Sequence, residues 1–195
     1  REVKKALVVA ITSNRGLAGA FNSNIIKELI RLNQEDLNGV AVSYMTIGKK
    51  ANDFAKKTDN IISNKSDLFD NISFDNVALI AEELMELFVT GEFDKIVLVY
   101  NSFKNAATQI IMTEDFLPLK PVAKDEAAIE TQKELDYIFE PSKEEIIEEL
   151  IPKSLKMQLY KGVRDSWASE HGARMTAMHK ATDNATELRD QLKLT

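Results

Sequence analysis

Residues 160–192 read as one uninterrupted amphipathic helix, and no other stretch of the chain offers a matching apolar face to cover its seam. His171, Met175, Met178, Thr182, Ala185 and Leu188 or Arg189 step by threes and fours, and Leu192 continues the series; this spacing keeps side chains on one stripe of a helix. At about 1.5 Å per residue the helix would reach roughly 50 Å, more than a compact domain of this size measures across. The spacing therefore predicts a rod that leaves a globular body and forms one half of a coiled coil. Leaving the seam in water forfeits roughly 1.5 to 3 kcal/mol for each large apolar side chain, so a second helix is expected to cover it. Ala177, Ala181 and Ala185 would admit that helix closely, with Arg174, Lys180, Glu187 and Arg189 flanking it. Leu192 to Thr195 carry no Gly or Asn stop, and the first residue is Arg rather than Met. Flanking segments, an N-terminal partner helix among them, are expected outside this chain.

The preceding residues alternate between two periodicities. Lys5 to Thr12 is almost continuously apolar and β-branched, as in a strand buried on both faces. Ile25, Ile26, Leu29 and Ile30 fall at helical spacing within 20–32. Val40 to Ile47 predicts a strand, Lys49 to Lys57 a short helix, and Phe74 to Thr90 a helix closed by Gly91. Lys95 to Tyr100 predicts another buried strand, with Ala107 to Thr113 pairing beside it. Residues 120–133 show no clear period and read as a connection, while 136–139 read as a short closing strand. Ser142 and Glu145 form a capping box that starts a helix, and Pro152 predicts a kink or break within it. The fold class is α/β: a Rossmann-like three-layer domain with a mostly parallel sheet, plus the long C-terminal helix. Residues 1–159 are the expected body, and 160–195 the start of the coiled-coil helix.

Composition narrows the function. A chain of 195 residues with 44% hydrophobic and 29% charged residues can bury one core and carry an appendage. A formal charge of −6 opposes phosphate backbones, so nucleic acid is an unfavoured partner. The apolar runs fall far short of the roughly 20 residues that cross a bilayer, so membrane association would be indirect. No cysteine is present, which removes thiolate catalysis and thiolate metal sites. Arg1 to Lys5 leads directly into a strand rather than into a secretory apolar segment.

Gly16 and Gly19 lie between a strand and a helix, where anion-binding loops sit. The run Gly-Leu-Ala-Gly lacks both the three glycines of a dinucleotide fingerprint and the Gly-Lys-Ser/Thr of a Walker loop. It reads first as a structural turn, and as an alternative the loop of a nucleotide- or phosphate-binding α/β enzyme using Ser13 to Asn22. His171 and His179 are two helical turns apart, too far to share an ion. No serine has a base suitably spaced, and the acidic runs read as solvated faces. No catalytic, cofactor-binding or metal-ligating residue is assigned.

The stretch Ala168-Ser169-Glu170-His171-Gly172-Ala173-Arg174-Met175-Thr176-Ala177-Met178, followed by Ala181-Thr182-Asp183-Asn184-Ala185, closely resembles the gamma subunit of rotary F-type ATP synthases. Ile11-Thr12-Ser13-Asn14-Arg15-Gly16-Leu17-Ala18-Gly19-Ala20-Phe21-Asn22 resembles that family's other signature, with Asn14, Ala18 and Ala20 departing from Ser-Asp-Arg-Gly-Leu-Cys-Gly-Gly. Tyr100 to Asn105 and Glu140-Pro141-Ser142 are similar as well, so the resemblance covers the whole chain. It implies the globular foot of a central stalk that couples rotation of the c-subunit ring to ATP synthesis in the alpha/beta hexamer and binds the epsilon subunit, without chemistry of its own. By the same resemblance, Tyr137, Phe139 and Glu140 would face the ring or the epsilon subunit. The chain would be a peripheral protein on the cytoplasmic face of a bacterial plasma membrane, with the mitochondrial inner membrane as the alternative. The cysteine-bearing insertion of chloroplast members has no counterpart here.

Overall fold

The computed structural model describes residues 3–58, 60–119 and 143–194. In chain order the elements are β1 (Lys5–Ile11), α1 (Phe21–Gln34), β2 (Ala41–Ile47), α2 (Lys49–Ala55), β3 (Ile61–Asn64), a 3-10 turn (Ser66–Asp70), α3 (Phe74–Val89), β4 (Lys95–Phe103), β5 (Gln109–Leu117) and α4 (Lys143–Leu194). The five strands form one sheet in the order β3-β2-β1-β4-β5. β1 lies at its centre, parallel to both β2 and β4, and only the edge strand β5 runs antiparallel. The mostly parallel α/β sheet anticipated from the continuous apolar run of β1 is therefore present.

That run divides by parity, because successive side chains of a strand point to opposite faces. Leu7, Val9 and Ile11 join Met45, Ile47, Ile96 and Leu98 on one face, beneath α3 and α4. Ala6, Val8 and Ala10 join Val42, Tyr44, Val97 and Val99 on the other, beneath α1 and α2. With helices on both faces the architecture has three layers. α3 begins where Ser73 accepts a hydrogen bond from the Asn76 amide at 3.2 Å, and ends at Gly91, whose φ of +77° suits a residue without Cβ. β3 and the 3-10 turn carry too few apolar residues to announce themselves in the sequence.

Two expectations change. Pro152 does not break the chain into two helices: α4 is continuous over 52 residues. The proline forfeits one intrahelical bond, whose acceptor is the carbonyl of Glu148, and Glu148 and its neighbours through Ile151 are exposed, so water can take that carbonyl. Buried Leu155 and Leu159 hold the next turn onto the sheet. The helix also does not leave the body at Tyr160; it remains packed through Ala173, and every described residue from Met178 to Lys193 is exposed. The Ser142 capping box, the connection at 120–133 and the short strand at 136–139 lie outside the described residues.

Candidate functional site

α4 leaves the body through a hydrogen-bonded seat. Between Ser169 and Thr176 two loops from the C-terminal ends of the parallel strands grip the helix. On one side stands the β4–β5 hairpin: the Ser169 hydroxyl donates to the Asn101 carbonyl at 3.1 Å, and the Thr176 hydroxyl shares its proton between the Ala106 carbonyl and the helix carbonyl of Gly172, each at 3.0 Å. Between them Gly172 sits so close that an added Cβ would lie 3.0 Å from Ala106 Cα and 3.3 Å from the Phe103 ring. On the other side stands the β1–α1 loop. Arg174 is paired with Glu170 at 2.8 Å and donates to the carbonyls of Arg15 and Gly16 at 3.4 and 3.3 Å. Glu170 is buried, so its pairing with Arg174 removes an otherwise costly isolated charge. Arg174 thus turns toward the body rather than flanking the seam.

The β1–α1 loop is tied down along its length. The Ser13 backbone amide donates to Asn22 Oδ1 at 3.0 Å, and the Ser13 hydroxyl donates to the Arg15 carbonyl while accepting from Asn22 Nδ2 at 2.8 Å. Asn14 accepts from the Lys49 amide and donates to the Ser66 carbonyl, each at 3.0 Å. An aspartate could only accept, so the departure at Asn14 adds a tie to the 3-10 turn. Ala18 packs with Phe21 and Ala173, linking the loop to α1 and α4. Gly19 has a φ of +57° and Leu17 one of +59°, both left-handed. Gly16 differs from the expectation: its backbone is ordinary and an added Cβ would meet nothing within 4 Å. The close approach in this region belongs to Gly48, whose φ is +117° and whose added Cβ would fall 2.1 Å from the Thr12 carbonyl oxygen.

In an open α/β sheet the crevice at the ends of β1 and β4 is where nucleotides ordinarily lie. Here it is crossed by the chain itself. The Asn101 amide spans it to the Phe21 carbonyl at 3.3 Å, and Ser13, Asn101 and Ser169 are all buried. Beside it runs a groove of about 470 Å³ between the two loops and the departing helix, lined by small residues that include Ala18, Ala106, Ala173, Ala177 and Ala181.

The seam residues occupy a different stripe from the gripped one. His171, Thr182 and Ala185 are exposed. So are Met175 (53% accessible), Met178 (40%), Leu188 (58%) and Leu192 (69%). At the root, Trp167 meets His171 edge-on at 4.5 Å, with the Arg164 guanidinium 5.5 Å from the indole centre. Tyr160 packs against Phe74 at 5.6 Å. Tyr137, Phe139 and Glu140 lie outside the described residues.

The family described as ATP synthase matches residues 1–195. The chain is 64% identical over 195 residues to the ATP synthase gamma chain of Flavobacterium psychrophilum, and 50% identical over 200 residues to that of Cytophaga hutchinsonii, of which it covers 68%. The chain belongs to the ATP synthase gamma-chain family. It spans 66% of the length of the Flavobacterium gamma chain. Among solved structures it is similar to a chain from the central stalk and c-ring of Tetrahymena thermophila mitochondrial ATP synthase, with 27% identity and a TM-score of 0.68 over 93% of this chain and 78% of that one. A chain from the Euglena gracilis mitochondrial enzyme shares the fold with a TM-score of 0.69, over 98% of this chain and 65% of that one, at 21% identity.

The two stretches that carry the family resemblance meet in space at the grip, the first supplying Arg15, Gly16 and Ala18 and the second Ser169 to Thr176. No one-dimensional pattern reveals that meeting. The signal available for Gly172 was its position inside a strong helix, where glycine is a poor helix former unless something must come close. Ser169, Asn101 and Gly48 gave no comparable signal.

Proposed function

We propose that this gamma-family chain is the foot and arm-root of a rotary central stalk, coupling ion-driven rotation of a membrane c-ring to ATP synthesis in an alpha/beta hexamer, itself non-catalytic. The observation that carries the reading is the form of α4: one 52-residue helix, clasped by the α/β body through Thr176 and bare beyond it. Torque needs a stiff lever firmly rooted in a wide body, and it needs no reactive side chain. The exposed stripe through Met175, Met178, Leu188 and Leu192 supports an antiparallel coiled coil as the completed arm. The alanine-lined groove beside it suits close approach of the partner helix. In this reading the helix stays rooted in the body through Ala173, and its stretch from Met178 onward begins the coiled coil.

The partners are an alpha/beta hexamer, an epsilon subunit and the c-ring. The family resemblance alone assigns Tyr137, Phe139 and Glu140 to the contact with the ring or the epsilon subunit. The similarity to bacterial gamma chains supports a peripheral place on the cytoplasmic face of a bacterial plasma membrane; among the described residues no helix is long and apolar enough to cross a membrane. The test is size-exclusion chromatography of the full-length polypeptide with purified epsilon subunit. Co-elution as a stoichiometric complex is expected; separate elution at every concentration tried overturns the proposal.

A further inference from the structure

We infer that the grip at Ser169–Thr176 is the torsional anchor of the arm, with Gly172 and Arg174 as its positioning residues; this rests on the rotary reading above. Packing lower on α4 is mainly apolar, through Leu155, Leu159 and Val163, and its polar ties there, Lys156 to Glu82, Gln158 to Glu114 and Ser102 to Asp165, join side chain to side chain. Apolar contact is non-directional: it resists lifting of the helix from the sheet and does little against a small rotation about the helix axis. The grip differs in its partners, which are backbone carbonyls and not side chains that can follow the helix as it turns. Successive helical residues are turned by about 100°, so Ser169, Gly172 and Thr176 form one stripe against the β4–β5 hairpin while Arg174 projects roughly 200° around from Gly172. Hydrogen bonds to fixed carbonyls on two sides of an axis oppose spin in either sense.

Gly172 sets the depth of the seat. The atoms an added Cβ would meet include Ala106 Cα at 3.0 Å and Ala106 O at 3.2 Å, which are backbone and cannot swing aside. Gly172→Ala therefore displaces the helix from the hairpin and lengthens the Ser169 and Thr176 bonds. Alanine is the better helix former, so a merely structural helix position would tolerate the change or gain from it.

The experiment uses complete ATP synthase containing the full-length gamma chain, reconstituted in vesicles, with ATP hydrolysis and ions moved per ATP measured on the same preparation. Gly172→Ala is expected to lower ions per ATP by about twofold or more, while hydrolysis persists. Arg174→Lys keeps a charge for Glu170 but cannot fork to two carbonyls, and should produce a smaller loss; Thr176→Val should do likewise. Lys156→Ala, on the same helix but outside the grip, removes the pair with Glu82 of α3 and should leave the ratio unchanged. A wild-type ratio in the grip variants overturns the anchor and leaves the rotary reading intact. If Gly172→Ala fails to assemble, Arg174→Lys and Thr176→Val decide. A wild-type chain that never joins the complex overturns the rotary reading itself.

Discussion

The division of α4 into a buried root and a bare arm makes Leu159→Ala and Leu188→Ala an informative pair: the same chemical change on the same helix, about 29 residues or some 43 Å apart. Leu159 is fully buried between the sheet and α3, in a cluster that includes Leu84, Leu98, Leu155 and Val163. Strand backbones form one wall and cannot collapse into the space left behind. The loss should therefore fall in the middle of the range for such truncations, about 3.5 kcal/mol out of 2 to 5. With a urea slope of about 2 kcal/mol/M, the unfolding midpoint drops by about 1.75 M. Leu188 is 58% accessible and touches no element of the body, so its truncation should cost under about 0.5 kcal/mol and move the midpoint by about 0.25 M or less. Trp167, the only tryptophan of the sequence, sits on α4 beside the grip and reports both transitions by fluorescence. Association should show the reverse order. Losing the burial of Leu188 in a coiled coil, worth roughly 1.5 to 3 kcal/mol, weakens capture of the companion helix about ten- to a hundredfold. Equal destabilisation by the two variants would show the arm folded on its own body, and the reasoning would fail.

Gly48→Ala combines a left-handed φ with a Cβ 2.1 Å from a backbone oxygen, and about 3 to 5 kcal/mol should be lost, lowering Tm by roughly 10 °C or more in a thermal scan. Gly16→Ala, in open space with ordinary backbone, should raise Tm slightly or leave it unchanged. Glu28 accepts from the Arg31 guanidinium at 2.7 Å and from the Thr113 hydroxyl at 2.8 Å, and chiefly the arginine holds its carboxyl below the usual value. Its contribution is present above the ordinary glutamate pKa of about 4.3 and lost as pH falls through the folded value, so Glu28→Gln should flatten the acid limb of a stability–pH curve. The Tyr100 hydroxyl donates to Glu114 at 2.8 Å, and burial first, then that carboxylate, push its pKa up. That stability is full below the ordinary tyrosine value of about 10 and lost as pH rises through the folded value; Tyr100→Phe should abolish the alkaline loss and cost about 1.5 to 3 kcal/mol at neutral pH.

Periodicity carried the fold because burial wrote it into the chain. β1 is covered on both faces, so its residues are apolar without alternation, and α3 shows its cap at Ser73 and its stop at Gly91 as local chemistry. β3 lies at the sheet edge with two of its four residues exposed, and that short, half-wet strand has little pattern to show. Pro152 misled for a related reason: the local rule prices a lost bond, but the packing of Leu155 and Leu159 that outweighs it comes from residues distant in sequence. The candidate site was legible only in part. The exposed apolar stripe was legible in the spacing, since helix geometry alone puts Met175, Met178, Leu188 and Leu192 on one side. The grip could not, because Ser169 meets Asn101 and Arg174 meets Gly16 across 68 and 158 residues of chain.

The same topology that makes ligand sites in other α/β proteins explains why the grip stands where it does. At the centre of the sheet the loops after β1 and β4 diverge, leaving a notch flanked by backbone groups that the strands no longer use. In a nucleotide-binding protein phosphate and base fill that notch; here a helix fills it, and Ser169, Gly172, Ala173 and Arg174 take the places of the ligand's polar and apolar parts. Glycine allows the close seat, hydroxyls and guanidinium satisfy the carbonyls, and an ion pair buries the one carboxylate. A glycine-bearing loop between strand and helix is therefore evidence of a notch and not of its occupant. The exposed stripe further along α4 says what kind of occupant this is, because a helix that fills the notch and then continues for about 25 Å into solvent serves something beyond the body that holds it.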